Sequence, residues 1–210
     1  MAAALPRALR PHALWRSSLA GTGAWREELE VLRRYADVRE CGHRQLNRQM
    51  RAMDGDVADA DLPREARALD RLLRVGPSLG SPGLVLWRGM SSMSYIHWIV
   101  NQHADTVTDK GYMSCSLRRS VGNFHARRHA VMPEDLDDAI LLRISVPCGA
   151  KVLCVPAECE ATLQGEAEVL LPRGSTLSIC RTWPRDVAGR GPGSIHEVSA
   201  SLQVELAVEG

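Results

Sequence analysis

Three short segments carry the residue types that could do chemistry: residues 84–89 (LVLWRG), 111–117 (GYMSCSL) and 165–175 (GEAEVLLPRGS). In an extended strand Glu166 and Glu168 project from one face, roughly 7 Å apart, so two carboxylates address a single cleft. One such carboxylate can stabilise a developing cation while the other takes a proton from an attacking group. Arg88 ends an apolar run and brings a planar, permanently charged fork suited to anionic oxygens. Ser114 and Ser116 share one strand face, with Cys115 on the other. Taken singly, each segment is bland: a surface cation, two small polar residues, a solvated Glu-x-Glu. Competing chemistry has little support. His125 and His129 stand four apart and could share a helix face, but HARRH lacks a zincin's glutamate and its two arginines repel a cation, so no metal is expected. No Gly-x-Ser-x-Gly or phosphate-cradling loop is present, and AGRGPG over residues 188–193 lacks dinucleotide-binding spacing.

In their order along the chain the three segments gain meaning. An arginine after an aromatic, then aromatic-x-Ser-x-Ser, then Glu-x-Glu leading into a strand ending Leu-Pro-Arg-Gly, resemble the mono-ADP-ribosyltransferase family. The branch is the Arg, Ser-x-Ser, Glu-x-Glu class of bacterial toxins, phage enzymes and vertebrate ectoenzymes. The resemblance implies NAD as co-substrate, with Glu168 as the catalytic glutamate that hydrogen-bonds the nicotinamide ribose. That carboxylate would stabilise an oxocarbenium-like transition state similar to that of glycoside hydrolysis. Glu166 would face the nucleophile, orienting an arginine guanidinium and accepting its proton; glutamine there goes with other acceptors, so arginine on a protein is the implied target.

By the same resemblance Arg88 binds NAD, Gly89 lets the backbone approach the nicotinamide amide, Ser114 braces Glu168, and Ser116 lies beside it on the cofactor side. Phe124 falls where the family places an aromatic that stacks on nicotinamide, and Arg128, one turn later, would reach a phosphate. Two residues depart from the family pattern. Cys115 replaces the usual threonine, and Leu163 stands where several toxins carry an aromatic that engages the acceptor. Glu158 and Glu160 nearby could attract a basic target. The alternatives are an NAD glycohydrolase, a nucleic-acid ADP-ribosyltransferase, or an inactive relative kept as a binding module. The presence of Arg88, Ser114, Glu166 and Glu168 together speaks against the last.

The elements that must position these residues fall into two parts. Leu29, Leu32, Tyr35 and Ala36, then Leu46, Met50 and Met53, recur at helical steps on either side of a weak point at Cys41-Gly42. Asp61 can cap a third helix with Pro63 in its first turn and Leu62, Ala66, Leu69 and Leu73 along one face. Residues 76–83 break the pattern as a connector. Beyond it, strands are expected at 84–87, 111–117, 140–146, 151–155, 166–171, 176–179 and 198–208, with helices capped by Ser92 and Ser120, the latter placing Val121, Phe124 and Arg128 on one face. Strand and helix do not alternate regularly, which disfavours a doubly wound sheet. The expected fold is α+β: a flexible basic arm over 1–23 and one domain over 24–210, with a helical lobe (24–80) and a β-rich core (81–210). As the resemblance implies, two packed, mainly antiparallel sheets form an NAD cleft in that core.

Composition sets the outer bounds. The chain has 210 residues, 26 basic and 25 acidic, for a net charge of +1, which argues against a nucleic-acid partner. Lys110 and Lys151 are the only lysines, so 24 of the 26 basic residues are arginine. No apolar run is long enough to cross a bilayer, and the arginine-bearing N-terminus lacks a secretory core, so a soluble, cytoplasmic protein is expected, of the kind delivered as an effector. An immunity or delivery partner fits that setting. The six cysteines show no CxxC pair and read as buried thiols, with a Cys154–Cys159 bridge left open.

Overall fold

The computed structural model describes residues 23–36, 42–53, 61–75, 84–91, 94, 106–130, 139–155, 167–179 and 195–203. The expected N-terminal arm, the Ser92 helix, and Glu158, Cys159, Glu160, Leu163 and Glu166 lie outside the described residues.

Among the described residues three helices come first: α1 (Gly23–Ala36), α2 (Gly42–Ala52) and α3 (Arg64–Val75). Their apolar stripes are those the sequence indicates, and Leu32, Leu46, Met50, Ala66, Leu69 and Leu73 are all buried. The break at Cys41-Gly42 falls between α1 and α2. A Cβ at Gly42 would stand 2.7 Å from the Arg34 carbonyl oxygen, so the missing side chain lets α2 start close against α1. Helix α3 begins later than expected: Arg67 N–H donates to the Pro63 carbonyl, which places Pro63 just outside the first turn.

Eight strands follow: β1 (Leu84–Ser91), β2 (Thr106–Asp109), β3 (Met113–Ser116), β4 (Ala139–Val146), β5 (Leu153–Cys154), β6 (Glu168–Leu171), β7 (Ser175–Ile179) and β8 (Ile195–Leu202). Helix α4 (Arg119–Ala130) lies between β3 and β4. The strand order is β2-β7-β8-β4-β1-β3-β6-β5, antiparallel except for β4 with β8. The α+β class and the mainly antiparallel pairing are as expected. The two expected sheets are instead one hydrogen-bonded sheet, with a narrow waist. β1 and β4 pair over eight residues, whereas β1 and β3 share the single pair Trp87↔Ser116. A five-strand part and a three-strand part therefore meet at one point. Strand β2 was not expected, because four residues (TVTD) at a sheet edge give too short an apolar alternation to register.

Alternation sorts the core. Leu86, Ile140, Leu142, Ile144, Val198 and Ala200 join Met113, Cys115, Val169 and Leu171 in one apolar cluster. The intervening residues of the three-strand part, Tyr112, Leu153 and Leu170, pack instead with α1, α2 and α3. That part is thus covered on both faces, each fully buried leucine contributing about 1.5–3 kcal/mol. Ser114 and Ser116, alternating with Met113 and Cys115, fall on the face toward the helical lobe.

Candidate active site

The cleft arises where β1 and β3 part. Beyond Trp87↔Ser116 the two strands stop pairing, and the Ser114 carbonyl accepts a hydrogen bond from Arg88 Nη1 at 2.7 Å. On its other side β3 pairs with β6 in the register Ser116↔Glu168 and Ser114↔Leu170. Glu168 and Ser114 are thus diagonal neighbours on one face, within reach of each other. The Ser114 hydroxyl donates to Glu168 Oε1 at 2.5 Å, the short distance of a charge-assisted bond. The β6 backbone is fixed as well, since Val155 N–H donates to the Glu168 carbonyl and Leu117 N–H to that of Ala167.

Arg88, Gly89, Ser114, Ser116 and Glu168 line one solvent-open cleft of about 200 Å³. The cleft also takes in Trp87 from β1, His43 from α2, and Val121, Gly122 and His125 from α4. Sequence reasoning did not place His43, Trp87 or His125 there. Val121 and His125, four apart on α4, both line the cleft, but the helical period that pairs them pairs Val121 with Phe124 equally, so no sequence signal singles out His125. Phe124 is 50% exposed with its ring edge-on to His125, 5.4 Å between centroids. Arg128, one turn beyond His125, is exposed and is not among the lining residues. Of the expected group Val121, Phe124 and Arg128, Val121 lines the cleft, with His125 beside it.

Three further expectations change in their physical reason. Gly89 is a glycine because of helix packing: a Cβ there would lie 2.2 Å from both Gly122 O and Ala126 N of α4. The N-terminus of α4 is not capped by Ser120. Val121 and Gly122 N–H donate to the Arg118 carbonyl, and the Ser116 hydroxyl accepts from Arg118 N–H at 2.9 Å, so one member of the Ser-x-Ser pair shapes the start of the helix. Ala167 has φ 47°, in the left-handed region, and β6 starts only at Glu168. Strand alternation therefore does not reach back across Ala167, and the argument that it puts Glu166 and Glu168 on one face does not apply. Cys115 packs into the core as expected, and burial pushes its thiol up to about 12, with Arg88 opposing the shift. Cys154 is a free thiol, likewise pushed up to about 12 by burial. Among the described residues no cluster of His, Cys, Asp and Glu is placed to hold a metal, and no helix is long and apolar enough to cross a membrane.

Comparison with known proteins agrees with this geometry. Residues 14–200 match the ADP-ribosyltransferase exoenzyme family. Among solved structures, Plx2a, an ADP-ribosyltransferase toxin from Paenibacillus larvae, is similar with a TM-score of 0.62 at 17% identity, over 93% of this chain and 92% of that one. C3stau2 from S. aureus, solved with NAD, gives 0.63 at 15% identity, over 96% and 97%. The Vibrio splendidus toxin Vis, in complex with agmatine, gives 0.58 at 17% identity, over 99% and 91%. No curated protein sequence matches. The donor set suits NAD: Arg88 spends one guanidinium nitrogen on Ser114 and keeps others for phosphate or ribose oxygens, and Glu168 supplies a fixed anion. The chain, with NAD as co-substrate, belongs to the ADP-ribosyltransferase exoenzyme family.

Proposed function

We propose that this protein transfers ADP-ribose from NAD to an arginine side chain of a target protein, releasing nicotinamide. The observation that carries the reading is the connected set Arg88, Ser114 and Glu168 in one cleft. When bound, NAD supplies a glycosidic bond whose leaving group is neutral nicotinamide. Glu168 would supply the anion that stabilises the positive charge developing on the ribose as that bond breaks. Ser114 fixes the orientation of that carboxylate. Arg88 grips a phosphate or ribose oxygen, Gly89 and Ser116 line the same cleft, and Phe124 and Arg128, both exposed on α4, keep the nicotinamide and phosphate contacts that the family resemblance implies.

The acceptor assignment rests on Glu166. A guanidinium is a poor nucleophile while protonated, so it needs an anion to orient it and to take the proton it sheds as the new carbon–nitrogen bond forms. Glutamate at 166 can do both. The Vis structure with agmatine, a small guanidinium compound, supports a guanidinium acceptor on this fold. The setting that fits best is a toxin or effector acting on a protein in the cytoplasm of a target cell. NAD labelled in its adenylate phosphate, incubated with agmatine, tests the reading. Label on agmatine is the expected result. Free ADP-ribose alone would make the protein a glycohydrolase, and neither product from folded protein would overturn the enzyme reading.

A further inference from the structure

We propose that Asn47, supported by Arg51 one turn further along α2, is a positioning residue for this reaction, acting through Tyr112 on Ser114 and Glu168. The inference rests on the role just assigned to Glu168. Asn47 is only 8% exposed, and its amide is fully engaged. Its Oδ1 accepts from Tyr112 N–H at 2.8 Å, while its Nδ2 donates to the Tyr112 carbonyl at 3.1 Å and to the Tyr35 hydroxyl at 3.0 Å. Burial raises the Tyr35 phenol well above its ordinary range, so the hydroxyl stays protonated and available as this acceptor. The side chain thus does for Tyr112 what a neighbouring strand would do, gripping N–H and C=O together. Gly111 is shaped to it: a Cβ there would stand 2.7 Å from Asn47 Oδ1.

Arg51 completes the grip on the same run of chain. Its guanidinium makes two parallel bonds to the buried Asp109 carboxylate, at 2.9 and 2.8 Å, and Asp109 Oδ1 also accepts from Gly111 N–H. From the opposite side the Tyr112 hydroxyl donates to Asp70 on α3, whose other oxygen accepts from Arg173 just past the end of β6. The approach to β3 is therefore clamped by the helical lobe two residues before Ser114, the residue that orients Glu168. His43, one turn before Asn47 on the same helix, lines the cleft, so the helix that holds the strand also forms part of the cleft wall. A displacement of about 1 Å in a positioned group can cost about 100-fold in rate, and hydrogen bonds from a buried amide are a direct way to prevent it.

The test uses the full chain with Asn47→Asp, Asn47→Leu and Arg51→Lys. Asn47→Asp keeps the acceptor for Tyr112 N–H and loses both donors. The readouts are kcat and KM for nicotinamide release, the Kd for NAD by calorimetry, and the thermal midpoint. Both Asn47 variants are expected to lose about tenfold or more in kcat while KM and Kd stay within about twofold, in protein still folded at the assay temperature. Arg51→Lys should show a smaller loss of the same kind. Unchanged kcat in the folded Asn47 variants would overturn the proposal, and so would a parallel weakening of NAD binding. Unfolding of all three would show that these contacts hold the fold rather than set the site, and would overturn it too. Wild-type protein that releases nicotinamide without labelling agmatine would remove the arginine assignment and leave this test readable.

Discussion

Among the described residues two helices wall the cleft, and opposite kinds of contact hold them. Helix α4 lies on β1 through the absence of side chains: Gly89 faces Gly122 and Ala126, and a Cβ at Gly122 would come within 2.8 Å of Leu141 and 3.0 Å of Trp87. Helix α2 reaches the strands through polar side chains, Asn47 to Tyr112 and Arg51 to Asp109. The first wall can take no added volume, and the second can lose no donor. Close backbone packing fixes distance without fixing direction, whereas hydrogen bonds fix both. It is consistent with this that the hydrogen-bonded wall stands over β3, whose Ser114 must point at Glu168.

The contrast can be broken at each wall separately. The largest effect is expected from Gly89→Ala, since the new carbon would sit 2.2 Å from two backbone atoms that cannot rotate away. Urea unfolding should show a loss at or above the roughly 3 kcal/mol upper end usual for overpacking. A loss below about 1 kcal/mol would mean that α4 slides easily on β1. At the other wall, Arg51→Ala leaves Asp109 buried with only the Gly111 N–H, and a loss of about 2 kcal/mol is expected, as for a charged hydrogen bond. The smallest effect concerns Cys115, in the core between the walls. With its thiol pushed up to about 12 it stays protonated at neutral and mildly alkaline pH. Iodoacetamide at pH 8 should leave Cys115 unlabelled in folded protein and label it after denaturation. Rapid labelling in the native state would show that the three-strand part opens from the rest.

Much of this arrangement was legible in the sequence, because it depends on residue type and short spacing. The stripe Leu62, Ala66, Leu69 and Leu73 predicts its buried helix face, and the Ser-x-Ser segment and Glu168 fall on two paired strands with Ser114 and Glu168 on one face. What was not legible depends on backbone conformation and on pairing between distant segments. The single Trp87↔Ser116 pair, which joins the two expected sheets into one and opens the cleft, leaves no local pattern. Nor does the left-handed turn at Ala167, where alanine gives no glycine signal for a positive φ. Asn47 reads as an ordinary polar helix residue until Tyr112, 65 positions away, is placed beside it. His125 carries no local signal either: in HARRH it stands beside two arginines that speak against a metal, and its place in the cleft depends on how α4 packs on β1.

The central claim is that Glu168 serves cleavage of the glycosidic bond and Glu166 serves the arginine acceptor. Glu168→Gln and Glu166→Gln, each assayed for nicotinamide release in water and for label on agmatine, test it directly. The expected result is that Glu168→Gln loses both products, while Glu166→Gln keeps hydrolysis and loses transfer. Equal loss of hydrolysis in the two variants, or transfer to agmatine surviving in Glu168→Gln, would contradict it.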